Sequence, residues 1–165
     1  VGLPYRDSTL SLLAVLPVGN CVAKLERQLR SDGGLGEVVL GLAPQTVKLS
    51  LPRFHLRTEE SLVAPLEALG MNTPFSDAAD FSGIAAEPLK IGAIEHIADI
   101  AVDEEGTEGA ATTGVVVVPT AAVLPPRGSV SFNADRPFLF FVRDDKSGAV
   151  LFAGRLADPS TVAPR

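Results

Sequence analysis

Apolar residues in this chain fall mostly in the two-residue rhythm of strands, with two short stretches at helical spacing. Residues 1–5 and 9–16 predict two strands joined by the polar turn Arg6-Asp7-Ser8. The second holds Leu10, Leu12, Leu13, Val15 and Leu16, an almost unbroken apolar run that suits a strand covered on both faces. Val22, Leu25 and Leu29 then take helical spacing, with Lys24, Glu26, Arg27 and Arg30 on the other faces. Asn20 is placed to cap that helix and Gly33-Gly34 to end it. Residues 46–51 alternate, with Val47, Leu49 and Leu51 facing one way. After Pro52 the parity switches to Phe54 and Leu56, which calls for a bulge or a change of sheet.

A second short helix is predicted next. Ser61 is its cap, Leu62, Leu66 and Leu69 its buried stripe, and Gly70 its stop. Pro65 falls near the end of the first turn, where it removes at most one backbone bond. Residues 91–102 form a long strand with Ile94, His96, Ala98, Ile100 and Val102 on one face. Residues 138–143 and 149–156 close the pattern as a hairpin around Asp144-Asp145-Lys146-Ser147-Gly148, both arms apolar enough to be central strands.

One stretch fits neither rhythm. Glu104-Glu105 opens it, small residues run from Gly106 to Gly114 broken only by Glu108, and Val115-Val116-Val117-Val118 ends it before Pro119. No proline interrupts the run, so every residue can donate to a β-ladder. Thr107, Gly109, Ala111 and Thr113 would share one face of a strand, and all are small enough to slide between two existing strands. Glycine and threonine at such density do not make a packed core strand. The segment reads as a loop that can become a strand. The plainer alternative is a surface loop of small residues between Val102 and Phe132, and four consecutive valines are too apolar for idle exposure.

Composition narrows the function. The 165 residues are 46% hydrophobic, which fits a packed domain rather than a disordered chain. No apolar run reaches the roughly 18 residues of a membrane helix. A net charge of -6 without a basic block argues against nucleic acid and anionic membranes as partners. Cys21 is the single cysteine, so no disulfide forms within the chain, and its default role is a small buried hydrophobe. His55 and His96 lack spaced carboxylates and make a poor metal site. Adjacent carboxylates at Asp144-Asp145 and Glu104-Glu105 point apart, as turn and hinge charges do. Gly33, Gly34 and Gly36 miss the spacing of a phosphate loop, and Ser82 has no histidine or acid at triad spacing. Nothing in the residues calls for an enzyme or a cofactor.

The small-residue stretch and the segments around it resemble the serpins. Before the stretch, Leu3-Pro4-Tyr5, Leu51-Pro52-Arg53-Phe54, Leu66-Glu67-Ala68-Leu69-Gly70-Met71, Phe75-Ser76-Asp77-Ala78-Ala79-Asp80-Phe81-Ser82-Gly83-Ile84 and Glu95-His96 follow in the family's order. After it come Phe132-Asn133-Ala134-Asp135-Arg136-Pro137-Phe138-Leu139-Phe140 and Leu151-Phe152-Ala153-Gly154-Arg155. The resemblance spans nearly the whole chain and implies an α+β serpin fold. Such a domain is far longer, so residues 1–165, which begin with Val1, correspond to its C-terminal part, with residues 103–131 as hinge and reactive loop.

The resemblance implies a suicide-substrate inhibitor of a serine protease, monomeric when complete, extracellular or alternatively cytoplasmic. The hinge would be Glu104, Gly106, Thr107, Gly109, Ala110, Ala111, Thr112 and Thr113. The family's spacing from Gly106 puts the cut between Thr120 and Ala121, with Ala122 and Val123 as alternatives; counting back from Pro137 gives a later bond, around Val123 or beyond. These residues are small or β-branched and Arg127 lies beyond them, which implies an elastase-like or subtilisin-like target, with a cysteine protease as an alternative. His96 matches the family's shutter histidine, a buried residue whose polar partners lie outside this chain and whose unsatisfied burial would cost about 1–3 kcal/mol. No basic cluster for a heparin-type cofactor is present. Two other readings stand beside this one: a non-inhibitory serpin acting as carrier or chaperone, and a β-rich fragment without activity of its own.

Overall fold

Strands dominate the computed structural model, which describes residues 1–19, 21–104, 106–108 and 130–160. In chain order the elements are β1 (Gly2–Pro4), β2 (Leu10–Val15), α1 (Val22–Leu29), α2 (Gly34–Leu40), β3 (Val47–Ser50), β4 (Phe54–Ser61), α3 (Val63–Ala68), a 3-10 turn (Thr73–Phe75), β5 (Glu95–Val102), β6 (Thr107–Glu108), β7 (Val130–Asn133), β8 (Phe138–Asp144) and β9 (Val150–Leu156). The chain divides into two units, Val1–Phe54 with Val102–Arg165, and His55–Ala101.

The first unit is built on an antiparallel sheet in the order β1-β2-β8-β9. Here the unbroken apolar run of β2 finds its cause. The strand has a neighbour on each edge, and Leu12, Leu13 and Ala14 are all buried. Ala14 sits opposite Phe140, and Phe140 in turn sits opposite Gly154. That last pairing is a packing requirement. A Cβ on Gly154 would lie 2.4 Å from the Phe140 ring, so only glycine leaves room for it. Phe54 packs against the same cluster, 5.0 Å from the Phe140 ring and 6.2 Å from that of Phe138. A bulge at Val142/Arg143 offsets β8 against β9.

β3 and β7 pair in parallel as a separate two-stranded sheet, with Leu49 opposite Phe132. The parity switch at Pro52 is therefore a change of sheet: the chain leaves β3 and enters a second sheet, ordered β4-β5-β6.

In the second unit, β4 lies beside β5, and the segment between them is pinned by backbone bonds. Leu62 N donates to Ile94 O at 2.8 Å, Met71 N to Leu66 O at 3.0 Å, and Ile91 N to Pro74 O at 2.9 Å. On one face His55 Nε2 meets Asp99 Oδ1 at 2.7 Å, and Arg57 lies between Asp99 and Glu59.

Several boundaries differ from the sequence expectation. Gly33-Gly34 does not end the helical region. Gly33 takes a φ of +82°, which turns the chain, and α2 starts at once from Gly34. Gly34 packs so tightly on the end of α1 that a Cβ would lie 2.2 Å from the Gln28 carbonyl oxygen. The N-cap position of α1 belongs to Cys21, which is exposed and gives no side-chain bond, while Asn20 lies outside the described residues. Ser61 is the last residue of β4 rather than a helix cap, because the backbone bond from Leu62 to Ile94 prolongs the extended chain. β5 starts at Glu95 rather than Ile91, since the Ile91 amide is drawn to Pro74.

Candidate functional site

The small-residue hinge starts at a tight turn directly after β5. Asp103 N donates to Gly106 O at 3.0 Å, and Gly106 N donates back to Asp103 Oδ1 at 3.1 Å. Gly106 adopts a φ of +151°, a conformation that side-chain-bearing residues rarely take. The glycine is required by the backbone, although open space surrounds it.

Two long-range polar contacts hold the turn. Arg53 clasps Glu104 with its Nε, 2.8 Å from one carboxylate oxygen and 2.6 Å from the other. The Arg53 hydrogen bond holds the Glu104 carboxyl below its ordinary range. Both side chains are largely exposed, so the pair positions the turn more than it stabilises the fold. On the other side, the Tyr5 hydroxyl donates to Thr107 Oγ1. Burial raises the Tyr5 phenol above its usual value, and the Thr107 bond opposes that rise.

Thr107 and Glu108 are already strand: they form β6, the third member of the β4-β5-β6 sheet. The small-residue stretch was expected as a loop that can become a strand, and its first described residues after the turn, Thr107 and Glu108, are already strand. Glycine at the turn and a β-branched residue directly after it favour that early strand.

Glu104, Gly106 and Thr107 thus meet at one turn. Gly109, Ala110, Ala111, Thr112, Thr113 and the cleavage candidates Thr120, Ala121, Ala122 and Val123 lie outside the described residues.

His96 departs from expectation. It is exposed, as is its neighbour Ile97, whereas Ile100 and Val102 further along the same strand are buried. Burial alternates only in the second half of β5; Glu95, His96 and Ile97 are all exposed, so the histidine meets solvent and bears no burial penalty.

The carboxylate pair at the β8–β9 turn builds structure. Asp144 accepts from Lys146 N, Ser147 N and Ser147 Oγ, and these bonds with that from Thr9 lower its pKa to about 2. Asp145 accepts from Ser11 Oγ at 2.9 Å. Among the described residues no cluster of His, Cys, Asp and Glu could hold a metal, and no helix is long and apolar enough to cross a membrane.

Sequence reasoning singled out the small-residue stretch but not the contacts at the turn where it starts. Tyr5 and Arg53 stood in family-like motifs, but nothing local names their partners, which stand 102 and 51 residues away.

The comparisons with known proteins agree with this geometry. The sequence model of the family described as "Serpin (serine protease inhibitor)" matches residues 1–159. Iripin-2 of Ixodes ricinus is 40% identical over 157 residues, which cover 94% of this chain and 38% of that protein. The leukocyte elastase inhibitor of Bos taurus is 37% identical, covering 95% of this chain and 42% of its own. Among solved structures, a serpin from the trematode Schistosoma haematobium superposes with a TM-score of 0.79 at 25% identity, over 94% of this chain and 40% of that one. A cleaved serpin 42Da gives 0.73 at 32% identity, with the same two coverages. The chain spans about two fifths of the length of these relatives. Strands in the fold of solved serpins and a family match over residues 1–159 converge: the chain belongs to the serpin family.

Proposed function

We propose that the complete protein containing this chain inhibits a serine protease as a suicide substrate, with residues 103–131 as hinge and bait. The protease serine attacks a bond near the end of the loop and forms an acyl-enzyme. Cutting releases the hinge to insert as a strand beside β5, an established case of strand addition in this family. Insertion of the run from Gly106 to Val118 forms ladder bonds at about 0.5–1.5 kcal/mol net each, on the order of 10 kcal/mol together. That work drags the tethered protease away before deacylation.

The observation that carries this reading is β6. Thr107 and Glu108 already lie in the sheet next to β5, and the small residues after them can follow. A carrier or chaperone serpin has less support, since this hinge holds no proline or bulky side chain to obstruct entry. We assign the scissile bond to Thr120 and Ala121, with Ala122 and Val123 as neighbours. No arginine stands between Gly106 and Pro126, which favours an elastase-like or subtilisin-like target over a trypsin-like one. His96 is assigned to the shutter of the complete domain. Secretion and a monomeric state complete the reading; cell fractionation and sedimentation test them.

The deciding experiment incubates the complete protein with an elastase, a subtilisin and trypsin. A band at the summed mass on a denaturing gel, with the cut sequenced near Thr120, is the expected result. Clean cleavage without that band overturns the inhibitor reading.

A further inference from the structure

The inference rests on the inhibitor reading and concerns how the hinge is seated. Tyr5 stands one residue past β1, and its amide donates to Leu10 O at 3.0 Å. β1 is itself locked to the buried strand β2 through Gly2 opposite Leu13, Leu3 opposite Leu12 and Pro4 opposite Ser11. The half-buried ring is therefore carried by an edge strand paired to the buried strand β2. Its hydroxyl reaches Thr107 Oγ1 across a sequence separation of 102 residues. Thr107 is the first residue after the turn and the first residue of β6. On the near side of the turn, Glu104 is held by Arg53. The two contacts clamp the turn from both ends.

We propose that Tyr5 is a positioning residue for the hinge: its hydroxyl seats Thr107 at the head of β6, so the inserting strand starts from a formed rung. The physical reason is kinetic. Starting a new strand is its slowest part, because chain entropy is lost before ladder bonds accumulate. A hinge whose first residue is already fixed avoids that stage. Insertion then competes better with deacylation, which decides whether the protease is trapped or released. Thr107 is a fitting partner, since its hydroxyl accepts while its β-branch favours the strand.

The test uses the complete protein and the variants Tyr5→Phe, Thr107→Val and the double substitution. Phenylalanine keeps the ring, and valine keeps the shape of threonine. Each single variant is expected to speed amide exchange at residues 106–108 by about two- to tenfold, the range of one net hydrogen bond. The double variant is expected to go no further than either single, because both remove the same bond. Thr107→Ser, which keeps the hydroxyl, is expected to behave as the parent.

With a trapped protease, Tyr5→Phe is expected to shift the products from covalent complex toward cleaved inhibitor by a similar factor, while first cleavage and Tm stay unchanged. Unchanged exchange in both singles, or additive effects in the double, overturns the proposal. A parent protein that forms no covalent band removes the inhibitor reading instead. Exchange alone then decides the tether: acceleration in Tyr5→Phe upholds it and no change sinks it.

Discussion

The β2-β8-β9 core and the hinge turn of residues 103–108 are held in opposite ways, although both are β structure. In the core, Leu13, Phe138 and Phe140 are almost wholly covered, and the interlock is one of volume: ring against glycine, ring against ring. At the hinge, the grip consists of an exposed ion pair, one hydroxyl bond and a glycine with positive φ. Apolar burial is large, non-directional and not readily undone. Polar surface contacts are worth little individually and exchange readily with water.

The comparison can be broken from the core side first. Phe140→Ala is expected to lower stability by about 3–5 kcal/mol, the cost of emptying a buried aromatic site, as read from urea unfolding. A loss below about 1 kcal/mol would show that the cluster with Phe54 and Phe138 is not what holds this sheet. Gly154→Val comes next, at about 1–3 kcal/mol, because its side chain meets the Phe140 ring. The two substitutions should not add, since the smaller side chain at position 140 vacates the space that valine needs.

A smaller effect comes from acid. Asp144 has its pKa lowered from 3.8 to about 2, so the native state binds its proton more weakly than the unfolded chain. Its contribution is fully present above pH 3.8 and is lost as the pH falls toward about 2. Glu104 follows the same sign through its bond to Arg53. Asp144→Asn should flatten that part of the acid-unfolding curve; a curve identical to the parent's would remove the turn from the account.

Least of all should stability respond to Thr107→Arg, a change within about 1 kcal/mol at a half-buried position with one side-chain bond. Its consequence is expected in partition instead: a long cation cannot enter the sheet, so covalent complex gives way to cleaved inhibitor. Unchanged inhibition would remove the insertion argument.

Legibility followed the same division. β2 and β8 were readable because burial writes itself into residue order, whereas β9, apolar enough to be expected as a central strand, is the edge strand with Val150 and Leu151 exposed. The sheet change at Pro52 was readable as a shift of parity. α2 was not, because Gly33-Gly34 has the composition of a stop, and only the dihedral angle of Gly33 shows that the chain turns into another helix. Ser61 looked like a cap because serine is the usual cap; a backbone bond from Leu62 to Ile94 made it strand. β7 lacked a pattern of its own and is defined by its parallel partner β3. At the hinge, Gly106 and Thr107 stood out by size and spacing, whereas Tyr5 and Arg53 did not.

The sequence by itself determined the family, the main strands, and a stretch poor in bulk after β5, since each is set by residue order within a short window. Tertiary structure alone decided that Thr107 and Glu108 are strand, that Tyr5 contacts Thr107 and Arg53 contacts Glu104, and that His96 is exposed. Those facts depend on which distant segments meet. Hydrophobic periodicity tells a residue which way to face, but not which residue it will find there.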